Sequence, residues 1–203
     1  MPNSFMKQNI WGESFLISRE QREEINGQKA FVIWLTGLSG AGKSTIARSL
    51  ELDLFQSGIR TLILDGDNTR RNINRDLDFS PAGRRENIRR VAEIARLLND
   101  AGIVVITAFI SPFSADREMA RAIIGADCFV EVFVDTPLEI CMERDTKGLY
   151  QKALKGELAE FTGVSSPYEA PAQPSLTVRT QNQLQQDTVR EIVSWLAGNH
   201  YIF

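Results

Sequence analysis

Gly37–Ser44 is the segment whose residue types and spacing point most directly to chemistry: it reads Gly-Leu-Ser-Gly-Ala-Gly-Lys-Ser and follows the apolar run Phe31–Leu35. Glycines allow successive backbone N–H groups to turn towards one polyphosphate, and a helix that starts here adds its positive dipole end. Lys43 would reach the β- and γ-phosphates, and Ser44 would place its hydroxyl on Mg²⁺. We therefore predict a P-loop between a strand and a helix over 45–55. The residues predicted to bind the nucleotide phosphates are Gly37, Leu38, Ser39, Gly40, Ala41, Gly42, Lys43, Ser44 and Thr45.

Two carboxylates follow the second predicted strand, 61–64. Asp65 and Asp67 are separated by one glycine, whereas the third predicted strand, Ile103–Phe109, ends without the acid that many P-loop proteins use to help hold Mg²⁺. Asp65 could therefore accept a proton from a hydroxyl or orient the waters of the metal ion. An ordinary Asp-Gly turn is the alternative. We predict Asp65, together with Ser44, as the metal-binding pair.

Arginines are concentrated between positions 70 and 90. This segment contains seven arginines and only three acidic residues, although the whole chain has a formal net charge of −3. This local positive charge suits an anionic second substrate. Part of the cluster has the spacing of a solvated helix face with i,i+4 ion pairs. The residues assigned to that face are Arg85, Arg89, Glu93 and Arg96, and Glu86 and Arg90 form a separate i,i+4 pair. The residues predicted to bind the anion are Arg70, Arg84 and Asn87.

Three phenylalanines, Phe79, Phe113 and Phe161, lie in predicted loops and not in periodic segments. Aromatic side chains in loops often fill small satellite cores. Next to a basic pocket they can also stack on a purine base. Both interpretations stay open at this point.

Strands and helices alternate along the rest of the chain, which predicts an α/β fold: a parallel five-stranded sheet with helices on both faces and ligands at the carboxyl ends of the strands.

A short charged helix is predicted near 18–24, and a capping box is predicted at Thr136–Glu139 with proline at the first helical position. Residues 145–175 are rich in Gly, Pro, Ser and Lys, so we predict a lid there. The remaining predicted strands are 129–134 and 176–178, and the remaining predicted helices are Arg84–Ala101, Ser114–Ile124 and Leu184–Leu196.

Composition excludes several functional classes. The 203 residues suit one domain, and the net charge of −3 with a pI of about 5.4 argues against general nucleic-acid binding. We find neither an apolar run long enough to cross a membrane nor a signal peptide, so we expect a cytoplasmic protein with no membrane partner. Cys128 and Cys141 are expected to be reduced, and the single histidine, His200, argues against a zinc site or a histidine-based triad.

A series of short segments, standing in order from about Trp11 to Trp195, resembles the adenylylsulfate kinase family. The resemblance implies a P-loop kinase fold over 30–203, preceded by an N-terminal extension over 1–29. The segments that carry it are Gly37–Thr45, Leu64–Asn68, Asn74–Ser80, Arg84–Ala92, Thr107–Phe113, Glu131–Pro137, Lys147–Tyr150, Phe161–Gly163 and Ser166–Pro171.

The resemblance implies that ATP, with Mg²⁺, phosphorylates the ribose 3′-hydroxyl of adenylyl sulfate. Phe79 and Phe161 would sandwich the adenine of that substrate, Lys147 would add positive charge near the phosphates, and Arg144 would cover the base of ATP. The implied catalytic residues are Asp65, Lys43 and Ser111. The implied substrate-binding residues are Asp65, Asp67, Arg70, Phe79, Arg84, Asn87, Ile110, Ser111, Lys147 and Phe161.

Two points stay open within the resemblance. The family describes the serine of Ile-Ser-Pro-Phe, here Ser111, as a phosphorylated intermediate, but direct in-line transfer needs none. A homodimer is kept as one option for the oligomeric state. The chain also departs from the family pattern at Thr69, Arg71, Asn72, Asp78 and Val178–Thr180, and most of these positions border the expected substrate pocket.

Three other functions are weighed against this one. A shikimate-like kinase would share an Asp-x-Asp after the second strand, but it has no purine for the loop phenylalanines to stack on. A GTPase switch would need Asn-Lys-x-Asp, and only Asp145–Gly148 comes near it. An inactive nucleotide-sensing domain would not need Lys43, Ser44 and Asp65 together.

Overall fold

A parallel five-stranded sheet forms the centre of the structure, a computed structural model that describes residues 15–203. The strand order is β2-β3-β1-β4-β5, and every neighbouring pair is parallel, as predicted. In such a sheet all carboxyl ends lie along one edge, so the residues that follow the strands are brought together. The strands are β1 (Val32–Thr36), β2 (Thr61–Asp65), β3 (Val104–Ala108), β4 (Phe129–Asp135) and β5 (Leu176–Arg179).

Helices cover both faces of the sheet. They are α1 (Arg19–Asn26), α2 (Lys43–Gln56), α3 (Gly66–Arg71), α4 (Pro81–Asp100), α5 (Ser114–Ile124), α6 (Leu138–Arg144), α7 (Leu149–Leu154) and α8 (Gln185–Gly198), with a 3₁₀ turn at Ala126–Cys128. Within residues 15–203, none of these helices is long and apolar enough to cross a lipid bilayer.

Strand β1 lies in the middle of the sheet, and its alternating side chains enter two separate cores. Ile33 and Leu35 pack in the core that includes side chains of α2 and α8. Val32 and Trp34 pack in the core that includes side chains of α4 and α5. Because both faces are buried, the strand is a nearly continuous run of apolar residues. The loop that follows it is therefore anchored to a buried, well-packed strand.

Helix α4 begins earlier than predicted, at Pro81 and not at Arg84, because Ser80 caps it. The Ser80 hydroxyl accepts the backbone N–H of Gly83 at 3.1 Å, and Pro81 occupies the first helical turn. The ion pair predicted along this helix between the partly exposed side chains of Glu86 and Arg90 is present, at 2.9 Å. Such pairs between exposed side chains contribute little to stability, so they identify the solvated face of the helix.

The capping box predicted at Thr136–Glu139 is wrong. Pro137 is the N-cap of α6, and the helix has no side-chain cap. The Thr136 hydroxyl instead donates to the carbonyl of Ala41, 3.2 Å away. Tertiary contact with the loop after β1 has thus replaced the local capping interaction.

Two short helices were not predicted. Helix α3 follows Asp65 immediately, where we expected a turn, and α7 lies inside the segment that we expected to be a lid without secondary structure. Each has six residues, which is less than two turns and too short to produce a readable periodicity.

The charged helix predicted near 18–24 is confirmed as α1, which starts with a capping box between Ser18 and Gln21. It packs on the domain through Arg19, whose guanidinium donates to the sulfur of Cys128 at 2.6 Å. Cys128 and Cys141 are both free and buried, as expected. The first fourteen residues of the predicted N-terminal extension lie outside the described residues.

Candidate active site

The P-loop connects β1 to α2 and packs closely against β4 and α6. Gly37 and Gly40 have φ angles of +152° and +76°. A Cβ on Gly37 would lie 2.7 Å from the carbonyl oxygen of Val134, and one on Gly40 would lie 2.9 Å from that of Cys141. Glycine is required at both positions because a larger residue would collide with backbone.

Lys43, the first residue of α2, is buried. Its Nζ donates to the carbonyl oxygens of Gly37 at 2.8 Å and Leu38 at 2.6 Å. Burial, assisted by the positive charge of Lys147, lowers the pKa of Lys43 to about 8. The ammonium group therefore lies inside the loop, bound to backbone oxygens.

Ser44 and Asp65, the two residues predicted to hold the metal ion, are in direct contact. The Ser44 hydroxyl donates to Asp65 Oδ2 at 2.7 Å, and Asp65 Oδ1 accepts the backbone N–H of Asp67 at 3.0 Å. Asp65 is therefore both the N-cap of α3 and the carboxylate nearest the P-loop serine. The local structural role of Asp65 and its predicted role in the site therefore do not exclude each other.

The donor set around Ser44 and Asp65 fits Mg²⁺ and not a metal held by protein alone. Within residues 15–203, no three His, Cys, Asp or Glu side chains are grouped so that they could hold a metal ion. Mg²⁺ is commonly bound by one or two carboxylates together with substrate phosphates and waters. One hydroxyl and one carboxylate beside a phosphate-binding loop match that pattern.

The predicted anion ligands lie together at the start of α4. The Arg70 guanidinium lies over the ring of Phe79, 4.3 Å from its centroid, and its Nη1 donates to the carbonyl of Asp78 at 3.0 Å. Arg84 donates to the carbonyl of Phe79 at 2.8 Å. Burial and the neighbouring charge of Arg84 lower the pKa of Arg70, so two positive charges lie close together at this point.

Arg84 and Asn87 also have partners in other parts of the structure. Arg84 reaches the lid, where its Nη1 donates to Thr162 Oγ1 at 2.8 Å and its Nη2 donates to the carbonyl of Glu160 at 2.6 Å. Asn87 is buried and accepts a hydrogen bond from the Asn74 amide at 3.0 Å. Three of the five N–H donors of the Arg84 guanidinium are used in these contacts, one each from Nε, Nη1 and Nη2.

The two phenylalanines expected to sandwich an adenine differ in exposure. Phe79 is 63% exposed, whereas Phe161 is 9% exposed. The Phe161 ring packs edge-on against Tyr150 with 5.1 Å between centroids. Phe113, the third loop phenylalanine, is half-buried as the N-cap residue of α5. Only Phe79 is placed for stacking as it stands, and the sandwich stays a prediction that requires Phe161 to move.

Ser111 lies in a strained turn after β3, with a φ of +38°. The residue is 2% exposed. Its hydroxyl donates to Thr36 Oγ1 at 2.9 Å and accepts the indole N–H of Trp34 at 3.2 Å. The carbonyl of Ile110, the preceding residue, accepts a hydrogen bond from Thr36 at 2.8 Å. Both hydrogen bonds of this hydroxyl are therefore made to protein side chains.

Arg144 and Lys147, the remaining predicted residues, contact other parts of the site. Arg144 donates to Gly40 O at 3.3 Å and to Thr180 Oγ1 at 2.9 Å, so it holds the back of the P-loop. Lys147 forms an ion pair with Asp67 across the site, which links the lid to α3. These contacts bring the P-loop, the predicted lid and the residues after β2 and β5 into one region.

Sequence reasoning assigned no chemistry to two tyrosines that contact this region. Tyr150 donates its hydroxyl hydrogen to the carbonyl of Ser39 at 2.9 Å. The hydroxyl of Tyr168 lies 3.0 Å from Thr36 Oγ1. Both tyrosines lie in segments that carry the family resemblance, and this was the one signal in the sequence that could have pointed to them. Their hydrogen-bond partners depend on tertiary contacts, which the sequence does not show.

Comparisons with known proteins agree with this geometry. The model of the family described as adenylylsulphate kinase matches residues 29–179. An adenylyl-sulfate kinase of Aeromonas salmonicida is 52% identical over 96% of this chain and 99% of its own, and one of Lactiplantibacillus plantarum is 48% identical over 96% of this chain and 94% of its own. The APS kinase of Mycobacterium tuberculosis, solved with AMPPNP and APS, has a TM-score of 0.80 and 43% identity over 84% of this chain and 99% of its own. The chain belongs to the adenylylsulfate kinase family.

Proposed function

We propose that the chain transfers the γ-phosphoryl group of ATP to the ribose 3′-hydroxyl of adenylyl sulfate, forming 3′-phosphoadenylyl sulfate and ADP. The observation that carries the proposal is the contact of Ser44 with Asp65 at 2.7 Å, directly beside a buried P-loop lysine. It brings a metal-ligand hydroxyl and a proton acceptor to the point where a γ-phosphoryl group would lie. The family to which the chain belongs gives the identity of the acceptor.

On the ATP side, Lys43 exchanges its two carbonyl partners for phosphate oxygens. Ser44 and Asp65 are the residues that would hold Mg²⁺, which would supply positive charge next to the β- and γ-phosphates. The backbone N–H groups of the P-loop and the N-terminus of α2 stabilise the remaining negative charge.

On the acceptor side, Arg70 and Arg84 bind the phosphosulfate group and Phe79 stacks on the adenine. The 3′-oxygen attacks the γ-phosphorus, and the bond between that phosphorus and the β,γ-bridging oxygen breaks as ADP leaves. The hydroxyl proton passes to Asp65. Transfer is direct, because the Ser111 hydroxyl is buried and already bonded to Thr36 and Trp34, so we assign it to positioning.

The lid completes the site on the phosphate side. Lys147 brings a positive charge that pairs with Asp67 in the structure and is available to the phosphates. Closure of the lid excludes water, which suppresses hydrolysis of ATP.

A coupled assay for ADP release tests the proposal against the alternatives. We expect ADP release that depends on adenylyl sulfate, with no release when shikimate or no acceptor is supplied. Release with shikimate would identify a different small-molecule kinase, and release of GDP from GTP without an acceptor would identify a GTPase. Absence of turnover together with tight ADP binding would identify a nucleotide-sensing domain. Each of these three results contradicts the proposal.

A further inference from the structure

Two tyrosines in the segment expected to be the lid, Tyr150 and Tyr168, direct their hydroxyls out of that segment and into the two halves of the site. Tyr150 contacts the P-loop, and Tyr168 contacts the end of β1 beside the turn that holds Ser111. They lie on either side of the exposed stretch 154–160. The two tyrosine contacts of the lid therefore each lie next to a different substrate-binding element.

Tyr150 is fixed in a single orientation by its surroundings. The residue is 2% exposed, its ring packs edge-on against Phe161, and its hydroxyl donates to Ser39 O at 2.9 Å. The Ser39–Gly40 peptide is trans, so its C=O and N–H point in opposite directions. Tyr150 holds the Ser39 carbonyl on the lid side, so the N–H of Gly40 points to the other side of the peptide. This is the orientation that the N–H needs if it is to donate to a phosphate oxygen.

Tyr168 has a corresponding arrangement on the acceptor side. Its ring stacks on Phe133 with 6.0 Å between centroids, and its hydroxyl lies 3.0 Å from Thr36 Oγ1. Thr36 in turn donates to the carbonyl of Ile110 at 2.8 Å, which holds the strained peptide before Ser111. By the same geometry, the N–H of Ser111 projects from the opposite side of that peptide.

The residue after Tyr168 strengthens this second attachment. The Glu169 backbone N–H donates to Pro112 O at 2.8 Å. Its carboxylate accepts the backbone N–H of Ser114 at 2.7 Å, and its carbonyl accepts a hydrogen bond from Arg117 at 2.7 Å. The end of the lid is thus attached to the whole turn from β3 to α5.

We infer that Tyr150 and Tyr168 are separate positioning residues for the two substrates: Tyr150 aligns the P-loop for ATP, and Tyr168 aligns the 110–111 turn for the acceptor nucleotide. The inference rests on the proposed function, because it takes adenylyl sulfate as the acceptor. Neither hydroxyl touches the reacting atoms. Each acts through one backbone peptide that it orients, directly for Tyr150 and through Thr36 for Tyr168.

Tyr150→Phe and Tyr168→Phe test the inference, since each keeps the ring and removes one hydroxyl. We expect Tyr150→Phe to raise the KM for ATP about three- to tenfold, the loss expected for one hydrogen bond, and to leave the KM for adenylyl sulfate within about twofold. Tyr168→Phe should give the reverse pattern. Tyr201→Phe is the matched control, because its ring also packs on aromatic neighbours but lies outside the lid, near the C-terminus, and both KM values should stay unchanged.

Equal changes in both KM values for either variant, or no change in either, would overturn the inference. A lower melting temperature with unchanged KM values would show that the hydroxyls are only structural. Calorimetric Kd values for ADP and for adenylyl sulfate are measured on the same proteins. If the wild-type chain releases no ADP with adenylyl sulfate, the proposed function fails, while the effect of Tyr150→Phe on the Kd for ADP still tests the ATP half of the inference.

Discussion

Lys43 is the residue whose charge state we predict to control nucleotide binding most directly. Its burial lowers the pKa to about 8 in the free protein. A bound polyphosphate favours the charged ammonium and raises that pKa, so binding above pH 8 must take up a proton. The affinity for ATP therefore depends on pH in a range where the ordinary lysine pKa would predict no dependence.

We expect the Kd for a non-hydrolysable ATP analogue to rise about tenfold between pH 7 and pH 9, because one unit above its pKa about a tenth of Lys43 remains protonated. Isothermal titration calorimetry in two buffers of different ionisation enthalpy measures both the Kd and the proton uptake. In Lys43→Arg the guanidinium stays charged, so its Kd should be flat over this range. An equally steep rise in Lys43→Arg would assign the pH dependence to another group.

Asp65 is the residue on which we predict the chemical step to depend. Asp65→Asn keeps the shape of the side chain and an acceptor for the Asp67 N–H, but it removes the charge and the proton acceptor. We expect kcat to fall at least about 10²-fold, with the Kd for ADP within about threefold. Asp135→Asn makes the same chemical change at the end of another strand, β4, and should leave kcat within about twofold. A kcat near the wild-type value in Asp65→Asn would leave Asp65 as a helix cap only.

At the residue scale, the contact of Ser44 with Asp65 could be predicted because both residues follow parallel strands, whose carboxyl ends share one edge. The contacts of Arg84 with Glu160 and Thr162 could not be predicted, since they depend on how the lid folds back on α4. The burial of Phe161 was missed for the same reason.

At the scale of elements, the long segments could be predicted and the short ones could not. Helix α5 was predicted with its observed bounds, Ser114–Ile124, because an eleven-residue helix shows a clear apolar face. Helices α3 and α7 lack the length for that signal. At Thr136 a local capping pattern was overruled by a contact with Ala41, more than ninety positions away in the sequence.

The P-loop turn provides a test that separates backbone strain from steric collision. Gly40 and Gly58 have similar φ angles, +76° and +82°. A Cβ on Gly40 would meet Cys141 O at 2.9 Å, whereas one on Gly58 would meet nothing within 4 Å. Gly58→Ala should therefore cost about 1 to 2 kcal/mol of unfolding free energy from left-handed strain alone. Gly40→Ala should cost more, and it should also weaken ATP binding.

Urea unfolding followed by circular dichroism measures both costs, and ADP titration of the folded variants measures binding. Equal destabilisation by the two substitutions would mean that the loop relaxes around the new methyl group. Normal ADP affinity in Gly40→Ala would show that the close packing at Gly40 is not needed for the shape of the phosphate site.

At the scale of the whole molecule, the sheet is a fixed support and the lid is the part with alternative contacts. The sheet edge carries the P-loop, Asp65 and the 110–111 turn on strands whose core residues are buried. The lid is held to that edge by side-chain contacts of Tyr150 and Tyr168, by Arg84 and by the exposed ion pair of Lys147 with Asp67. Exposed ion pairs are worth little, so we predict that Lys147 exchanges its pairing with Asp67 for contacts with substrate.

We predict that ADP and adenylyl sulfate together slow amide hydrogen exchange in the lid, and that the slowing is confined to residues 151–167, between the two tyrosine attachments. Exchange here reports local opening, which the two nucleotides suppress when they bridge the P-loop and the lid. Amides of β3 should be unaffected and serve as the internal control. Phe161→Leu keeps an apolar side chain where Phe161→Ala would open a cavity in the core. It should weaken binding of adenylyl sulfate more than binding of ATP, because we predict that only the adenine of adenylyl sulfate stacks on this ring. Equal losses for both nucleotides, or slowing that extends evenly from 145 to 175, would mean that the segment moves as one body and that its tyrosines do not divide it.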